Sequence, residues 1–319
     1  MSDHTPTVGI LYPGEMGASL AAVLRARGAR VVTTLAGRGE QTARRASATG
    51  VEVLESLADV VRASEVLICL VPPASAEQAA DDYCELAHLS PPGALYVDAN
   101  SIGPELSAAL ASRVARHGRG FVDAAINGLS KNLTTSGTLF LSGPRAGEVA
   151  RLFGDSVAVK LLGDQPGRAS AMKMLLSGLS KGVCALFVET ALTAHRHGML
   201  AEMAESYTRI YPGIMALVDR MLPTYAGHAA RRVDETRELE QTAQAAGFEP
   251  CVLAAVRQLH ELLAGVDFSS AGQQTWTTKS LIEKLAAEGF LTGDLAAGPA
   301  AWNAPRATDT IKNSRSPQD

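Results

Sequence analysis

The chain has no excess of basic residues. Its 29 lysines and arginines stand against 33 aspartates and glutamates, which gives a net charge of −4 and a pI near 6.0. This balance excludes a broad basic field for nucleic acid or anionic lipid. The opening residues, MSDHTPTVGI, lack a basic segment followed by a long apolar run, so we expect no signal peptide. No apolar run predicts a membrane span.

Cysteine is scarce, and the four copies lie far apart at Cys69, Cys84, Cys184 and Cys251. None belongs to a CxxC pair or to the cysteine and histidine spacing of a metal site. We therefore expect reduced structural thiols, no bound metal and a cytoplasmic location.

The chain has 319 residues, of which 46% are hydrophobic, and this composition suits about two globular domains. Helical stretches at 16–27, 40–48 and 74–87 alternate with short apolar runs. Those runs predict strands at 7–11, 30–35, 66–71, 94–98, 120–124, 138–142 and 157–162. The alternation predicts a parallel, doubly wound α/β sheet of the Rossmann type. After Gly163 the pattern becomes helical. We expect a dinucleotide-binding domain at 1–163, a helical substrate and dimerisation domain at 164–295, and a flexible tail at 296–319.

The run VGILYPGEMGASLA, residues 8–21, places a glycine-containing turn between the first strand and the first helix. Gly14 and Gly17 hold the second and third glycine places of a dinucleotide phosphate loop, whereas Tyr12 holds the first. The following helix would offer its free N–H groups to a phosphate. The spacing favours a nucleotide site over a structural turn. Its cofactor-binding candidates are Tyr12, Pro13, Gly14, Glu15 and Met16.

The second predicted strand ends without an acidic residue. NAD sites usually place Asp or Glu there to hold the ribose 2′-hydroxyl. No acid occurs from 30 to 39, and Arg38 follows the strand. Because a guanidinium pairs well with a phosphate, the pattern favours NADP over NAD. The alternative is that Arg38, Arg44 and Arg45 only solvate a helix start.

Candidate ligand-binding residues lie at the ends of three of the later predicted strands. Val71 and Pro72 end one strand, and Asn100 follows another, at the edge where open α/β sheets bind ligands. Loop capping explains such residues equally well. After the strand at 120–124, Asp123, Asn127 and Gly128 are expected to form a polar turn. That turn either holds a substrate carboxylate or amide or is an exposed hairpin.

One predicted helix carries Lys173, Ser177 and Lys181 at intervals of four residues, so the three share one face. Such a polar stripe usually faces solvent. A lysine near a helix start also repels the positive end of the helix dipole, which favours a catalytic role for Lys173. Lys181, if close, would depress the Lys173 pKa.

These motifs resemble, in their order, those of the β-hydroxyacid dehydrogenases, which include 3-hydroxyisobutyrate and 6-phosphogluconate dehydrogenases. The family motif GLGNMG is matched by YPGEMG, and D-x-S-T-x-x-P by DANSIGP at 98–104. Likewise D-x-P-x-S-G-G is matched by DAAINGL at 123–129, and K-x-x-x-N by KMLLS at 173–177. The resemblance covers roughly 7–290 and is closest to members with a distinct C-terminal helical domain.

The resemblance implies that Lys173 is the catalytic acid or base and that Asn127 and Gly128 face the substrate. It places Val71, Pro72 and Asn100 beside the cofactor and implies a homodimer through the helical domain. Asn127 stands where serine is usual, Leu129 where glycine is, and Ser177 where asparagine is. Ser177 is also expected to be a catalytic residue, and Lys181 is expected to bind the substrate. Weaker candidates are Tyr207, Arg231, Arg232 and Asp234, for which a solvated helix face is the commoner explanation.

The sequence thus predicts an NADP-dependent oxidoreductase that moves a hydride between nicotinamide and a small hydroxyacid or carbonyl compound. An imine reductase of the same superfamily and a non-catalytic NADP-binding protein are the alternatives. A small-molecule substrate and a second copy of the chain are the expected partners, and nucleic acid and membranes are not.

Overall fold

A computed structural model describes residues 6–269 and 275–291. The chain forms two compact units. The first contains the described residues up to Val183 together with Ala229–Ala264, and the second contains Cys184–His228 and the described residues from Gly265 onward. The predicted domain boundary at 163 lies between the last strand and the first helix of the helical region. The compact units instead divide after Val183, His228 and Ala264. The predicted tail at 296–319 lies outside the described residues.

The first unit is built on one sheet of eight strands in the order β3-β2-β1-β4-β5-β6-β7-β8. The strands are β1 Thr7–Leu11, β2 Arg30–Thr34, β3 Glu52–Leu54, β4 Val66–Cys69, β5 Leu95–Asp98, β6 Gly120–Asn127, β7 Thr138–Ser142 and β8 Ala158–Leu161. The predicted α/β sheet is confirmed. The short strand β3 was not predicted, since it offers only three residues at the sheet edge.

One strand departs from the predicted parallel arrangement. β7 pairs antiparallel with β6, and Asn127 lies opposite Thr138. The segment between these two residues holds only a 3₁₀ turn at Ser130–Asn132 and a four-residue helix at Leu133–Ser136. It therefore makes a hairpin-like return rather than the longer crossover that a parallel neighbour needs. All other pairs in the sheet are parallel.

Helices cover both faces of this sheet, as a largely parallel sheet requires. In chain order they are α1 Glu15–Ala26, α2 Glu40–Thr49, α3 Leu57–Ala63, α4 Ala76–Leu86, α5 Pro104–Arg116, α6 Leu133–Ser136 and α7 Ala146–Phe153. Two hydrophobic clusters lie on opposite faces. Alternation along β1 assigns Val8 and Ile10 to one cluster and Leu11 to the other. β1 is therefore buried from both sides, and its carboxyl end is fixed.

The helices after the sheet are α8 Arg168–Arg196, α9 Leu200–Ile210, α10 Pro212–Met221, α11 Tyr225–Ala245, α12 Cys251–Ala264 and α13 Thr278–Ala287. α8 is long and apolar enough to cross a membrane by length and composition, contrary to the expectation from sequence. The core helices of soluble proteins pass the same test, so this finding is weak evidence for a span.

On α8 the lysine side is buried and leucines on another side are exposed, which is the reverse of what a solvated polar stripe predicts. Lys181 is only 2% exposed, whereas Leu175 and Leu179 are 66% and 71% exposed. The reason is that charged and polar partners from the sheet edge and α11 face the lysine side of the helix.

Candidate functional site

The turn between β1 and α1 has the geometry of a dinucleotide phosphate loop. Gly14 caps α1 in an extended conformation, and no side chain caps this helix end. A Cβ at Gly14 would meet no atom within 4 Å, whereas a Cβ at Gly17 would collide with the Tyr12 carbonyl oxygen. Gly14 thus leaves the helix end open, and Gly17 permits close packing of helix on strand.

The other residues of this turn are held by the protein itself. Pro13 is buried, and Met16 packs against the core cluster on the α1 side of the sheet. Glu15 lies in the first turn of α1 and accepts a hydrogen bond from the Ser130 hydroxyl. The β6–β7 connection is therefore tied to the phosphate loop.

Tyr12, in the place of the first glycine, supports Arg38. The Arg38 guanidinium lies 4.1 Å from the centre of the Tyr12 ring, a cation–π distance. Burial raises the pKa of Tyr12, and Arg38 opposes that rise. Arg44 instead pairs with Glu40 on the surface, at 2.7 Å. The two arginines therefore differ in their partners. Arg38 is held against Tyr12 in the loop after β2, and that strand does not end in an acidic residue.

A chain of hydrogen bonds links the ends of β5 and β4. The buried Asp98 accepts hydrogen bonds from the Asn100 backbone N–H at 3.1 Å and side-chain amide at 2.8 Å. The Asn100 side-chain oxygen Oδ1 in turn accepts a hydrogen bond from the Val71 N–H at 2.7 Å. Burial raises the pKa of Asp98 to about 7, and the bonds from Asn100 oppose the rise. Asn100 thus fixes the segment before the exposed Pro72.

Asp123 is not part of a turn, contrary to the expectation from sequence. It lies inside β6, fully buried and level with Asp98 in the neighbouring strand. Its carboxylate accepts the backbone N–H groups of Gly167, Ala169 and Ser170 at 2.9–3.0 Å. The hydroxyls of Ser142 and Ser170 donate to it as well. Asp123 therefore anchors the first turn of α8 to the sheet.

Asn127 and Gly128 lie exposed at the end of β6. Gly128 has φ +133°, and a Cβ there would approach Gly137 to 3.0 Å. Glycine is thus required for this turn. Within the residues that the structure describes, no hydrogen bond or ion pair joins Asn127 to the lysines of α8.

Lys173 reaches the end of β5. Its Nζ donates to the Ser101 hydroxyl at 2.6 Å. Burial lowers the pKa of Lys173 to about 8. Glu235 and Asp98 oppose this shift, whereas Lys181 and Arg231 add to it. The contribution of Lys181 agrees with the shared helix face predicted from sequence.

Lys181 is buried and lies in a charge cluster with residues of α11. Its Nζ is 3.0 Å from Glu235 Oε2 and also donates to the Ser177 hydroxyl. Glu235 further pairs with Arg231 at 3.1 Å and lies 3.8 Å from Arg232. Burial lowers the pKa of Lys181, and Glu235 opposes that change. We call these four charged residues, Lys181, Arg231, Arg232 and Glu235, the α11 cluster.

Sequence reasoning missed one charged residue of this region, Glu235, whereas it did place Ser101, the Lys173 partner, in a polar cluster after a strand. The available signal for Glu235 was its spacing of three and four residues from the two arginines. Arg232 is buried, so a solvated face does not explain it. Asp234 does lie on an exposed face, paired with Arg237. Tyr207 lies in the second unit within an aromatic group and forms no part of this cluster.

No group of three or more His, Cys, Asp or Glu suited to a metal ion occurs within 6–269 and 275–291. Cys69, Cys84 and Cys184 are buried and Cys251 is exposed.

Comparison with known families agrees with this geometry. Residues 7–152 match the NAD binding domain of 6-phosphogluconate dehydrogenase. Residues 194–263 match a domain of unknown function, DUF1932. The chain belongs to the superfamily of the 6-phosphogluconate dehydrogenase NAD-binding domain, with a C-terminal DUF1932 region. The predicted family and Rossmann-type fold are confirmed.

Several relatives show how far this similarity reaches. One similar solved structure is that of MTH1747, a conserved protein of unknown function with structural similarity to 3-hydroxyacid dehydrogenases. It is 32% identical to this chain and superimposes with a TM-score of 0.65. The match covers 81% of this chain and 96% of MTH1747. An uncharacterized 28.5 kDa protein of Methanothermus fervidus is 25% identical over 79% of this chain and 96% of its own. The 3-hydroxyisobutyrate dehydrogenase of Mycobacterium tuberculosis shares the fold at 18% identity and a TM-score of 0.70, over 88% and 99%.

Proposed function

We propose that this chain is an NADP-dependent oxidoreductase acting on a small hydroxyacid or the corresponding carbonyl compound. The observation that carries the proposal is the position of Lys173, whose ammonium group contacts Ser101 at the carboxyl edge of β5. Open α/β sheets bind ligands at this edge. A positioned lysine there can transfer a proton to or from a substrate oxygen.

The residues around the β1–α1 turn fit a dinucleotide. The open backbone at Gly14 and the uncapped α1 end suit a pyrophosphate. We propose that Tyr12, Pro13, Glu15 and Met16 border it. Val71, Pro72 and Asn100 would lie nearer the nicotinamide. The bound cofactor would supply or accept the hydride.

Arg38 supports NADP over NAD. Its guanidinium rests on the Tyr12 ring, and the end of β2 carries no carboxylate to repel a phosphate. A guanidinium can pair with a phosphate through two parallel hydrogen bonds. We therefore assign the ribose 2′-phosphate to Arg38.

Lys173 would act as the proton donor in the reducing direction. With its pKa lowered to about 8, it is mostly protonated at neutral pH yet gives up its proton more readily than an ordinary lysine. We propose that Ser177 and Asn127 hydrogen-bond the substrate and that Gly128 gives it room. Lys181, already paired with Glu235, would contribute through its charge.

The test is a substrate screen that follows NADPH consumption with β-keto acids, neutral ketones and cyclic imines. We expect turnover with a carbonyl acid, and Lys173→Met should reduce it by about 10²–10⁴ while NADPH still binds. Turnover of imines alone would favour the imine reductase alternative. NADPH binding without turnover of any class would favour the non-catalytic one.

We further propose a homodimer in the cytoplasm. Leu175 and Leu179 form an exposed apolar stripe on α8, at a spacing of four residues that keeps them on one side of the helix. Exposed apolar patches of this kind usually mark a partner surface. A second copy of the chain would cover the stripe with the same leucines.

A further inference from the structure

Ser101 is held at the carboxyl edge of the sheet by contacts on either side of it. Before it in the chain, the Asn100 side chain accepts a backbone N–H from the segment after β4. After it, Gly167 packs closely on Pro104, so that a Cβ at Gly167 would come within 2.7 Å of the Pro104 carbonyl oxygen. The segment that carries Ser101 is therefore fixed both to the sheet and to the start of α8.

The Ser101 hydroxyl accepts one hydrogen bond and still has its own hydrogen to donate. Lys173 Nζ donates to its oxygen at 2.6 Å. None of the hydrogen bonds within 6–269 and 275–291 uses the hydrogen of this hydroxyl. Because the ammonium group occupies the oxygen, that hydrogen is directed away from Lys173. It is therefore available to a substrate oxygen at the edge of the sheet.

A second lysine and serine on α8 make the same kind of contact, and the two pairs differ in one respect. Lys181 donates to the Ser177 hydroxyl, but its Nζ also lies 3.0 Å from Glu235 Oε2. A carboxylate at that distance stabilises the charged form of a lysine. Lys173 forms no ion pair with the described part of the chain, and its hydrogen bond goes to Ser101. Lys173 is therefore the lysine whose proton no carboxylate holds directly.

We propose that Ser101 is a catalytic residue that passes the proton of Lys173 to the substrate oxygen. This inference rests on the proposed function, because it concerns the same reduction. The bound cofactor supplies the hydride to the carbonyl carbon, and the π electron pair of the C=O bond moves onto the oxygen. That oxygen takes the hydrogen of the Ser101 hydroxyl while the serine oxygen takes a proton from Lys173 Nζ. Ser101 ends unchanged, and neutral Lys173 regains a proton from water.

The contact with the ammonium group suits Ser101 to this step. A hydroxyl that accepts a hydrogen bond from a charged donor is polarised, and it donates its own hydrogen more strongly. Because the proton from Lys173 arrives as the serine proton leaves, no charged serine is formed.

The test measures kcat, KM and NADPH affinity for Ser101→Ala, Lys173→Met and the double variant, with the β-keto acids of the substrate screen. We expect kcat to fall by about 10²–10⁴ in each single variant while NADPH still binds. The double variant should lose no more than the single variants, because removal of either residue breaks the same proton path. Ser101→Thr keeps a hydroxyl and should retain most of the activity.

Ser112→Ala is the matched control, since Ser112 is exposed on α5 and donates to the Ala108 carbonyl oxygen of the same helix. It should leave kcat unchanged. A kcat of Ser101→Ala equal to that of the control, or a change in KM alone, would overturn this inference and leave the proposed function intact. Losses that multiply in the double variant would overturn it as well, because they show that the two residues act independently.

A second measurement needs no variant. The kcat of the unaltered protein in mixtures of water and heavy water should follow a curve against the deuterium fraction, because two protons move together. A straight line would overturn the relay through Ser101. No turnover of any carbonyl compound by the unaltered protein would reject the proposed function and this inference with it.

Discussion

Lys173 owes its chemistry to the residues that surround it rather than to its position in a motif. Burial disfavours its charged form, and the neighbouring cations add to that effect. Glu235 and Asp98 act in the opposite sense and keep the pKa near 8. The balance leaves an ammonium group that is mostly protonated at neutral pH, as the proton donor that we propose must be.

A pH profile tests this balance. In the mechanism that we propose, carbonyl reduction needs protonated Lys173, so kcat/KM should be level below about pH 8 and fall above it. Glu235→Gln removes the charge that supports the protonated form, so the inflection should move to lower pH. The neighbouring Asp234→Asn, on an exposed side chain, should leave it unchanged. An unmoved inflection in folded Glu235→Gln protein would refute the role assigned to Glu235.

At the scale of the element, the decisive contact is between β6 and α8. Asp123 receives three backbone N–H groups at the start of the helix, which are the groups that a helix cannot satisfy internally. The carboxylate also lies at the positive end of the helix dipole. This contact sets where α8 leaves the sheet and hence where Lys173 meets Ser101.

Asp123→Asn should therefore cost stability as well as activity. An amide retains the shape but directs two hydrogens at a group of donors, and we expect a loss of about 2 kcal/mol or more in the free energy of unfolding. Urea denaturation measures it. Asp234→Asn, which loses only an exposed ion pair, should change the value by less than about 1 kcal/mol. Equal effects of the two substitutions would contradict the anchoring role.

Helical periodicity was enough to place Lys173, Ser177 and Lys181 on one face, but it could not tell which face is buried. In α8 the leucines are exposed and Lys181 is buried, whereas apolar residues are usually buried and lysines exposed. The reason is that Lys181 pairs with Glu235, which belongs to a helix distant in sequence. Asp123 was misread for a similar reason. Its partners at 167–170 are distant in sequence, so an aspartate near a strand end suggested a turn.

Patterns of longer range were more informative for the molecule as a whole. Alternating strands and helices predicted the sheet, and the motif order predicted the family. The reversed β7 could not be predicted, because strand direction depends on a connection whose path the sequence does not reveal. A role for Tyr12 in the place of the first glycine could not be predicted either. Only the structure shows that its ring contacts the Arg38 guanidinium.

The mass in solution tests the proposed dimer. Light scattering at micromolar protein should give twice the 33.3 kDa of one chain. Leu179→Glu places a charge in the α8 stripe and should yield the single-chain mass. Leu161→Glu changes an exposed leucine on β8 and should remain dimeric. A single-chain mass for the unaltered protein would contradict the proposal.

The most direct test of the central claim is a fluorescence titration of the purified chain with NADPH and with NADH. The account predicts saturable NADPH binding, tighter than NADH by about tenfold or more because Arg38 pairs with the 2′-phosphate. Arg38→Ser should remove that difference, and Arg44→Ser, which breaks only a surface pair, should preserve it. Equal affinity for the two nucleotides would contradict the role of Arg38. Binding of neither would contradict the oxidoreductase itself.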